Sequence, residues 1–126
     1  MTVLVDTSVF VDHLRGWAEA REAFAGARRG GHQVVASVLT RAELLGGMRA
    51  LEKGRTRALF LAVGWIDVDR EIADRAGELA RAYRRSHPGI DLVDYVIAAT
   101  AELSGATLLT RNVKHFPMID GLVAPY

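Results

Sequence analysis

The chain of 126 residues contains no cysteine. This absence excludes a disulfide framework, a thiolate zinc site and a cysteine nucleophile, so any metal ion must be held by oxygen or imidazole ligands. The four histidines, His13, His32, His87 and His115, lack the spacing of metal ligands and are expected at the surface or in turns. Any metal site is therefore expected to use oxygen ligands. Because the chain has no cysteine for disulfides, a reducing cytoplasm is the simplest compartment to expect.

Long apolar runs and a strong net charge are also missing. The longest apolar stretch, from Ala58 to Ile66, is far shorter than the about 20 residues that cross a bilayer. Asp6 and Asp12 interrupt the apolar segment at the N-terminus, and no basic segment precedes it. No signal peptide is therefore predicted. Sixteen Lys and Arg against fifteen Asp and Glu give a net charge of +1. Bulk charge therefore does not indicate nucleic-acid binding.

The composition that is present, 50% hydrophobic and 25% charged residues, is typical of a globular protein. A chain of this length has room for one core, so residues 1–126 are predicted to form a single domain. Any activity must then come from one compact unit.

Short β-branched runs alternate with longer helical patterns. The predicted strands are Thr2–Val5, Gln33–Ala36, Trp65–Val68 and Ala106–Thr110. The predicted helices are Trp17–Ala27, Thr40–Leu51, Arg55–Val63, Glu71–Arg85 and Leu92–Leu103. This order predicts an α/β fold in which helices cover both faces of a mainly parallel sheet. A functional site is expected beyond the carboxyl ends of the strands.

Four polar residues share that position, at a strand end or a helix start: Asp6, Glu43, Asp94 and Asn112. Three carboxylates in one partly buried site repel one another, and a divalent cation is the simplest way to neutralise them. Oxygen ligands suit Mg²⁺ or Mn²⁺. Two such ions about 3.5 to 4 Å apart can activate a water and stabilise a leaving oxygen in phosphodiester cleavage.

Two of these acids also have a structural interpretation. Asp6 stands where a helix N-cap is expected, and the capping and site interpretations are equally balanced for it. Thr40 and Glu43 have the spacing of a capping box, which for Glu43 taken alone is the favoured explanation.

The helix that starts at Leu92 has two acids near its beginning. Asp91 is more natural as its N-cap than as a metal ligand. Asp94 lies one turn into an otherwise apolar helix, where an unpaired carboxylate is costly, and this favours a functional role. Asn112 is more often a turn residue.

Four segments, in this order, resemble the PIN domain, and more narrowly the VapC toxins of bacterial type II toxin–antitoxin pairs. They are Val3–Val9, Ser37–Leu44, Asp94–Ala101, and Leu109–Asn112 followed by His115-Phe116. Only the arginine-rich middle of the chain lacks a signature. The resemblance implies a three-layer α/β/α fold around a mainly parallel sheet of about four to five strands.

The resemblance also implies an Mg²⁺- or Mn²⁺-dependent endoribonuclease. Asp6, Glu43 and Asp94 match the acidic metal ligands of the family, and Glu43 could act through water. Asn112 matches a position that is often Asp in the family, so it could share in metal binding through water. Thr7 and Thr110 match positions near the site, where a hydroxyl could orient a carboxylate or a water.

The partners implied by the resemblance are an RNA substrate, a VapB-type antitoxin that blocks the site, and a second copy of the toxin. RNA sequence is usually read in single-stranded loops, so a structured RNA such as tRNA or ribosomal RNA is expected. No membrane partner is expected.

Two other functions are compatible with part of these features. A catalytically silent PIN-like module would keep the fold and bind only a partner, but the intact acidic set argues against it. A receiver-like phosphoacceptor domain would use Thr110 and Lys114 beside a phosphorylated Asp. It would leave Glu43 and Asp94 without a task.

Overall fold

The computed structural model describes residues 1–126. Its four strands are β1 (Thr2–Val5), β2 (Gln33–Ser37), β3 (Gly64–Ile66) and β4 (Thr107–Leu109). They form one sheet in the order β3-β2-β1-β4, and every neighbouring pair is parallel. The parallel sheet expected from the alternating strands and helices is therefore confirmed.

Six helices connect and cover these strands. They are α1 (Thr7–Leu14), α2 (Ala18–Arg29), α3 (Val38–Gly47), α4 (Lys53–Ala62), α5 (Arg70–Tyr83) and α6 (Leu92–Ser104). Two short 3-10 turns, Ala50–Glu52 and Val113–His115, lie between them and after β4. No helix is both long enough and apolar enough to cross a membrane.

The alternation of side chains along the strands divides the core into two parts. Leu4 and Val35 face a cluster formed with α5 and α6, whereas Val5, Val34 and Ala36 face a cluster formed with α1, α2 and α4. Successive strand residues point to opposite faces, so a sheet that is apolar at consecutive positions must be covered on both sides. This gives the expected three-layer α/β/α arrangement.

The strand order creates a crevice at the carboxyl end of β1. The chain builds outward from β1 to β2 and β3, then returns to place β4 on the other side of β1. At such a reversal the loops that follow the strands on either side of it, here β1 and β4, diverge and leave room for a ligand. The backbone N–H of Asp6 donates to the Leu109 carbonyl at 2.9 Å, which joins the ends of β1 and β4.

The sequence placed a possible N-cap at Asp6 but did not predict the bounds of α1. This helix has only eight residues, too few for a clear apolar period, and Asp6 at its N-cap position makes no side-chain capping bond. Its apolar anchors, Val9 and Phe10, are completely buried. Packing rather than capping therefore stabilises α1.

The boundaries predicted for α3 are wrong at both ends. The helix begins at Val38, where the Ser37 hydroxyl accepts a hydrogen bond from the Leu39 N–H at 3.1 Å. Thr40 is buried inside the first turn, so the capping-box interpretation of Glu43 is also wrong. The helix ends at Gly47 because two consecutive glycines disfavour its continuation. Leu51, the predicted last residue of this helix, is 97% exposed in the following turn.

The other predicted elements are confirmed with small shifts of their ends. Asp69 caps α5, and its Oδ1 accepts from the Ile72 N–H at 2.8 Å. Gly105 ends α6 in the left-handed conformation, with φ of 62°, which favours glycine. β3 starts one residue before the prediction and ends at Ile66, and β4 is shorter than predicted at both ends.

Candidate active site

A polar cavity of about 490 Å³ opens at the carboxyl ends of β1 and β4. All four residues proposed from the sequence, Asp6, Glu43, Asp94 and Asn112, line it. Its other lining residues are Thr7, Ser8, Val11, Asp12, Asp91, Val93, Arg111 and His115. The topology thus brings together residues that lie up to 109 positions apart in the sequence.

Asp6 is held by hydroxyl groups from the start of α1 and from the residue that follows β4. Its side chain is buried, and Oδ2 accepts hydrogen bonds from Thr110 Oγ1 at 2.7 Å and from Ser8 Oγ at 3.3 Å. The Asn112 N–H donates in turn to Thr110 Oγ1 at 3.0 Å. Because the Asp6 carboxylate accepts no backbone N–H at the start of α1, it serves the cavity rather than a helix cap.

Glu43 reaches the cavity from α3, and its carboxylate is tied to α1. Glu43 Oε1 accepts a hydrogen bond from Thr7 Oγ1 at 2.7 Å. Thr7 Oγ1 also lies 3.2 Å from the buried Thr40 hydroxyl. A hydroxyl bound to a carboxylate fixes the direction of its free oxygen lone pairs, so Thr7 orients Glu43 towards the cavity.

Asp94 is nine-tenths buried at the start of α6. Its Oδ2 accepts from the Asp91 N–H at 3.3 Å, while Asp91 Oδ1 accepts from the Asp94 N–H at 3.1 Å. Asp91 is therefore the N-cap expected from the sequence. Burial, and next the charge of Asp91, raise the pKa of Asp94 to about 6. A protonated His115, whose Nδ1 lies 3.1 Å from Asp94 Oδ2, acts in the opposite direction.

The donor set fits a hard divalent cation in its chemistry. The cavity offers carboxylate oxygens and an amide oxygen, and a cation there would relieve the cost of ionising Asp94. No group of three or more Asp, Glu or His side chains is yet arranged to hold an ion. The carboxylates therefore line one cavity without converging on one point.

Two further polar residues of this cavity, His115 and Asp12, were not proposed as site residues from the sequence. His115 was expected in a surface or turn role, but it contacts Asp94. Asp12 is buried, and its Oδ2 accepts from Arg111 Nη1 at 2.8 Å. Asp12 lies one helical turn after Ser8, a spacing that would have placed it near the site once α1 was recognised.

The comparisons with known proteins extend over nearly the whole chain and agree with one another. The family model described as "PIN domain" matches residues 3–122. The chain is 50% identical over 123 residues to "Ribonuclease VapC19" of Mycobacterium tuberculosis, covering 98% of both proteins. It is 44% identical over 124 residues to "Ribonuclease VapC10" of the same organism, covering 98% of this chain and 92% of that protein.

A solved structure agrees with the sequence relatives. A chain of the "Toxin-antitoxin complex from Klebsiella pneumoniae" matches with a TM-score of 0.81 and 31% identity, covering 98% of each chain. The family model matches nearly all of the chain. The match includes all four strands apart from Thr2, the first residue of β1. The chain therefore belongs to the PIN-domain family and, within it, to the VapC toxins of toxin–antitoxin systems.

Proposed function

We propose that this protein is a metal-dependent endoribonuclease that acts as the toxin of a type II toxin–antitoxin pair. The observation that carries the proposal is the position of Asp6, Glu43, Asp94 and Asn112 around one cavity at the reversal of the strand order. The VapC19 and VapC10 relatives are named ribonucleases, which supports the same chemistry. The reaction would be in-line attack of water on an RNA phosphodiester, without a covalent intermediate.

Asp6 and Asp94, with Glu43 directly or through water and Asn112 as a weaker ligand, would hold Mg²⁺ or Mn²⁺. A bound divalent cation supplies a Lewis acid that lowers the pKa of water and stabilises charge on the phosphate and the leaving oxygen. Hard oxygen donors suit these ions, and the raised pKa of Asp94 indicates a carboxylate that would gain from a nearby positive charge.

The surrounding polar groups orient the proposed ligands. Thr110 and Ser8 donate to Asp6, Thr7 donates to Glu43, and the Asp91 backbone donates to Asp94. Each of these bonds limits the rotation of a carboxylate. The orientation of each proposed ligand is therefore restricted before a substrate arrives.

We propose RNA of defined structure as the substrate, with tRNA or ribosomal RNA as the leading classes. A PIN-type cavity at the surface can take a single strand but not the interior of a duplex, and unpaired loops are where RNA sequence is read. Such substrates would meet the enzyme in the cytoplasm.

The proposed protein partners are a VapB-type antitoxin and a second copy of the toxin. The similar Klebsiella pneumoniae structure is a toxin–antitoxin complex, which supports the first. An antitoxin could lay a helix on the protein and direct an Arg or Lys towards the acidic cavity. If a cognate antitoxin bound equally well after Asp6→Asn and Asp94→Asn, this charge pairing would be wrong. Light scattering of the purified toxin tests the homodimer.

Cleavage of total cellular RNA tests the nuclease. Antitoxin-free protein is incubated with Mg²⁺, Mn²⁺ or EDTA, and the new RNA ends are sequenced. Discrete cuts that need the cation and disappear in Asp6→Ala and Asp94→Ala are expected. Asp74→Ala removes an exposed acid of α5 outside the cavity and should cut as the wild type does. An absence of cuts from folded, metal-loaded protein would favour a binding-only module.

A further inference from the structure

Arg111 is the only arginine or lysine that lines the acidic cavity. It follows Thr110 directly, and its backbone N–H donates to Ser8 Oγ at 3.2 Å. Its side chain is 41% exposed, so it can be reached by a ligand. A cavity lined by carboxylates repels a phosphodiester, and Arg111 is the one permanent cation of the chain that could offset this repulsion there.

The guanidinium of Arg111 is fixed on three sides. Nη1 donates to Asp12 Oδ2 at 2.8 Å, the Trp17 ring centroid lies 4.7 Å from the guanidinium carbon, and the Tyr126 ring centroid lies 5.7 Å from it. Aromatic faces at these distances attract a guanidinium and limit its movement. An arginine held in this way loses little side-chain entropy when it binds a ligand.

Tyr126 supports the same arrangement through Asp12. Its hydroxyl donates to Asp12 Oδ2 at 2.6 Å, and the Asp12 side chain is only 8% exposed. Burial, and next the hydrogen bond to Asp12, raise the pKa of Tyr126. Its hydroxyl therefore stays protonated and remains a donor. Oδ2 of Asp12 accepts hydrogen bonds from both Tyr126 and Arg111. The bond from Tyr126 fixes the position in which Asp12 holds Arg111.

Most of the hydrogen-bonding capacity of Arg111 is unused. A guanidinium carries five N–H donors, and the structure shows a side-chain bond for Nη1 alone. The remaining donors can bind two phosphate oxygens at once, which is the contact for which arginine is best suited. A purely structural ion pair with Asp12 would not require a half-exposed guanidinium at the cavity.

We propose that Arg111 binds a phosphate of the RNA substrate next to the cleaved bond, and that Asp12, Tyr126 and Trp17 hold its guanidinium for this contact. The inference rests on the proposed ribonuclease function. Arg111 would touch the substrate, whereas the other three are positioning residues that act through it.

Binding of a short fluorescein-labelled single-stranded RNA of mixed sequence tests the contact without cleavage. Fluorescence anisotropy is measured in EDTA over a range of NaCl concentrations. Arg111→Ala should raise the Kd about tenfold at low salt. It should also reduce the slope of log Kd against log salt by about 0.7, the value for one lost phosphate contact on a single strand.

Matched variants separate this effect from a general loss of charge or of folding. Arg81→Ala removes an exposed arginine of α5 outside the cavity and should leave the slope unchanged. Arg111→Lys should retain the slope. The double variant Asp12→Asn/Arg111→Ala leaves no unpaired buried carboxylate, so it should fold and still show the reduced slope.

A double-mutant cycle tests the positioning role. Tyr126→Phe keeps the ring but removes the hydroxyl, so it should raise the RNA Kd in the wild type and have no further effect in Arg111→Ala. An equal effect in both backgrounds would mean that Tyr126 is only structural, and that part of the proposal would fall.

The outcomes also separate this proposal from the nuclease itself. If the wild type cleaves cellular RNA but Arg111→Ala binds RNA with the same Kd and salt slope as Arg81→Ala, the Arg111 proposal alone is overturned. If the wild type neither cleaves nor binds RNA, both proposals are overturned.

Discussion

At the scale of the residue, Asp94 lowers the stability of the metal-free protein. Its pKa is about 6 in the folded state against an ordinary value of 3.8. An acid whose folded-state pKa is raised destabilises the fold above that pKa, and the loss is recovered as the pH falls from about 6 towards 4. Burial is the main cause, so the cost belongs to the charged form.

Asp94→Asn should therefore stabilise the protein at pH 8 in EDTA while abolishing RNA cleavage. The expected gain in unfolding free energy is about 1 to 3 kcal/mol, and it should vanish towards pH 4. The asparagine oxygen can still accept from the Asp91 N–H, so the start of α6 is preserved. Urea unfolding of both proteins across this pH range measures the effect. A variant less stable than the wild type at pH 8 would contradict it.

The Thr110 hydroxyl is expected to contribute to both stability and activity. Thr110→Val keeps the shape of a fully buried side chain but leaves Asp6 Oδ2 without its closest donor. We expect a loss of about 1 to 3 kcal/mol in unfolding free energy and at least about a tenfold drop in RNA cleavage, because the carboxylate is less well oriented.

Thr100→Val is the matched control for Thr110→Val. Thr100 is equally buried, but its hydroxyl donates to the Val96 carbonyl within α6, far along the helix from Asp94. Thermal melts and initial cleavage rates should show a stability loss for both variants and an activity loss for Thr110→Val alone. Equal activity of the two variants would refute the positioning role of Thr110.

Three of the proposed ligands could be found from sequence because they follow a strand or lie at the start of a helix: Asp6, Asp94 and Asn112. Glu43 lies in the middle of α3, and the start predicted for that helix at Thr40 was wrong, but Glu43 also lines the cavity. His115 could not be found in this way. Its contact with Asp94 depends on where the short turn after β4 packs, and no local pattern encodes that position.

At the scale of the element, the helix caps explain where prediction succeeded. Asp91 occupies the N-cap position of α6, as expected from the sequence, and Asp69 occupies that of α5 next to its predicted start at Glu71. Ser37 caps α3 and was overlooked, because it also ends β2 and the Thr40–Glu43 spacing offered a competing start. A capping signal is local, but which of two signals is used depends on packing.

Asp69→Ala should cost about 1 kcal/mol of unfolding free energy and leave RNA cleavage unchanged. Its carboxylate accepts from the Ile72 N–H at the start of α5, and it does not line the cavity. Asp69→Ser retains a capping oxygen and should recover most of the loss. Thermal melts of the wild type, Asp69→Ala and Asp69→Ser measure these differences in stability. Equal melting temperatures of the two variants would mean that the capping oxygen contributes nothing.

At the scale of the whole molecule, a divalent cation should stabilise the fold. Only the folded chain brings the cavity carboxylates together, so binding shifts the unfolding equilibrium by mass action. We expect the melting temperature to rise with Mg²⁺ or Mn²⁺ concentration in the wild type and much less in Asp6→Asn/Asp94→Asn. KCl at matched ionic strength controls for screening. Equal shifts in both proteins would place the cation elsewhere.

The order in which the cavity is completed follows from the bond between Asp6 and Thr110, which spans 104 positions. During synthesis from the N-terminus, β1, β2 and β3 emerge and can pair, but β4 comes last and must insert beside β1. A nascent or prematurely ended chain that stops before β4 therefore carries Asp6, Glu43 and Asp94 but lacks Thr110, which holds Asp6, and Asn112. For a protein proposed to cut RNA, such an incomplete copy is expected to be inactive.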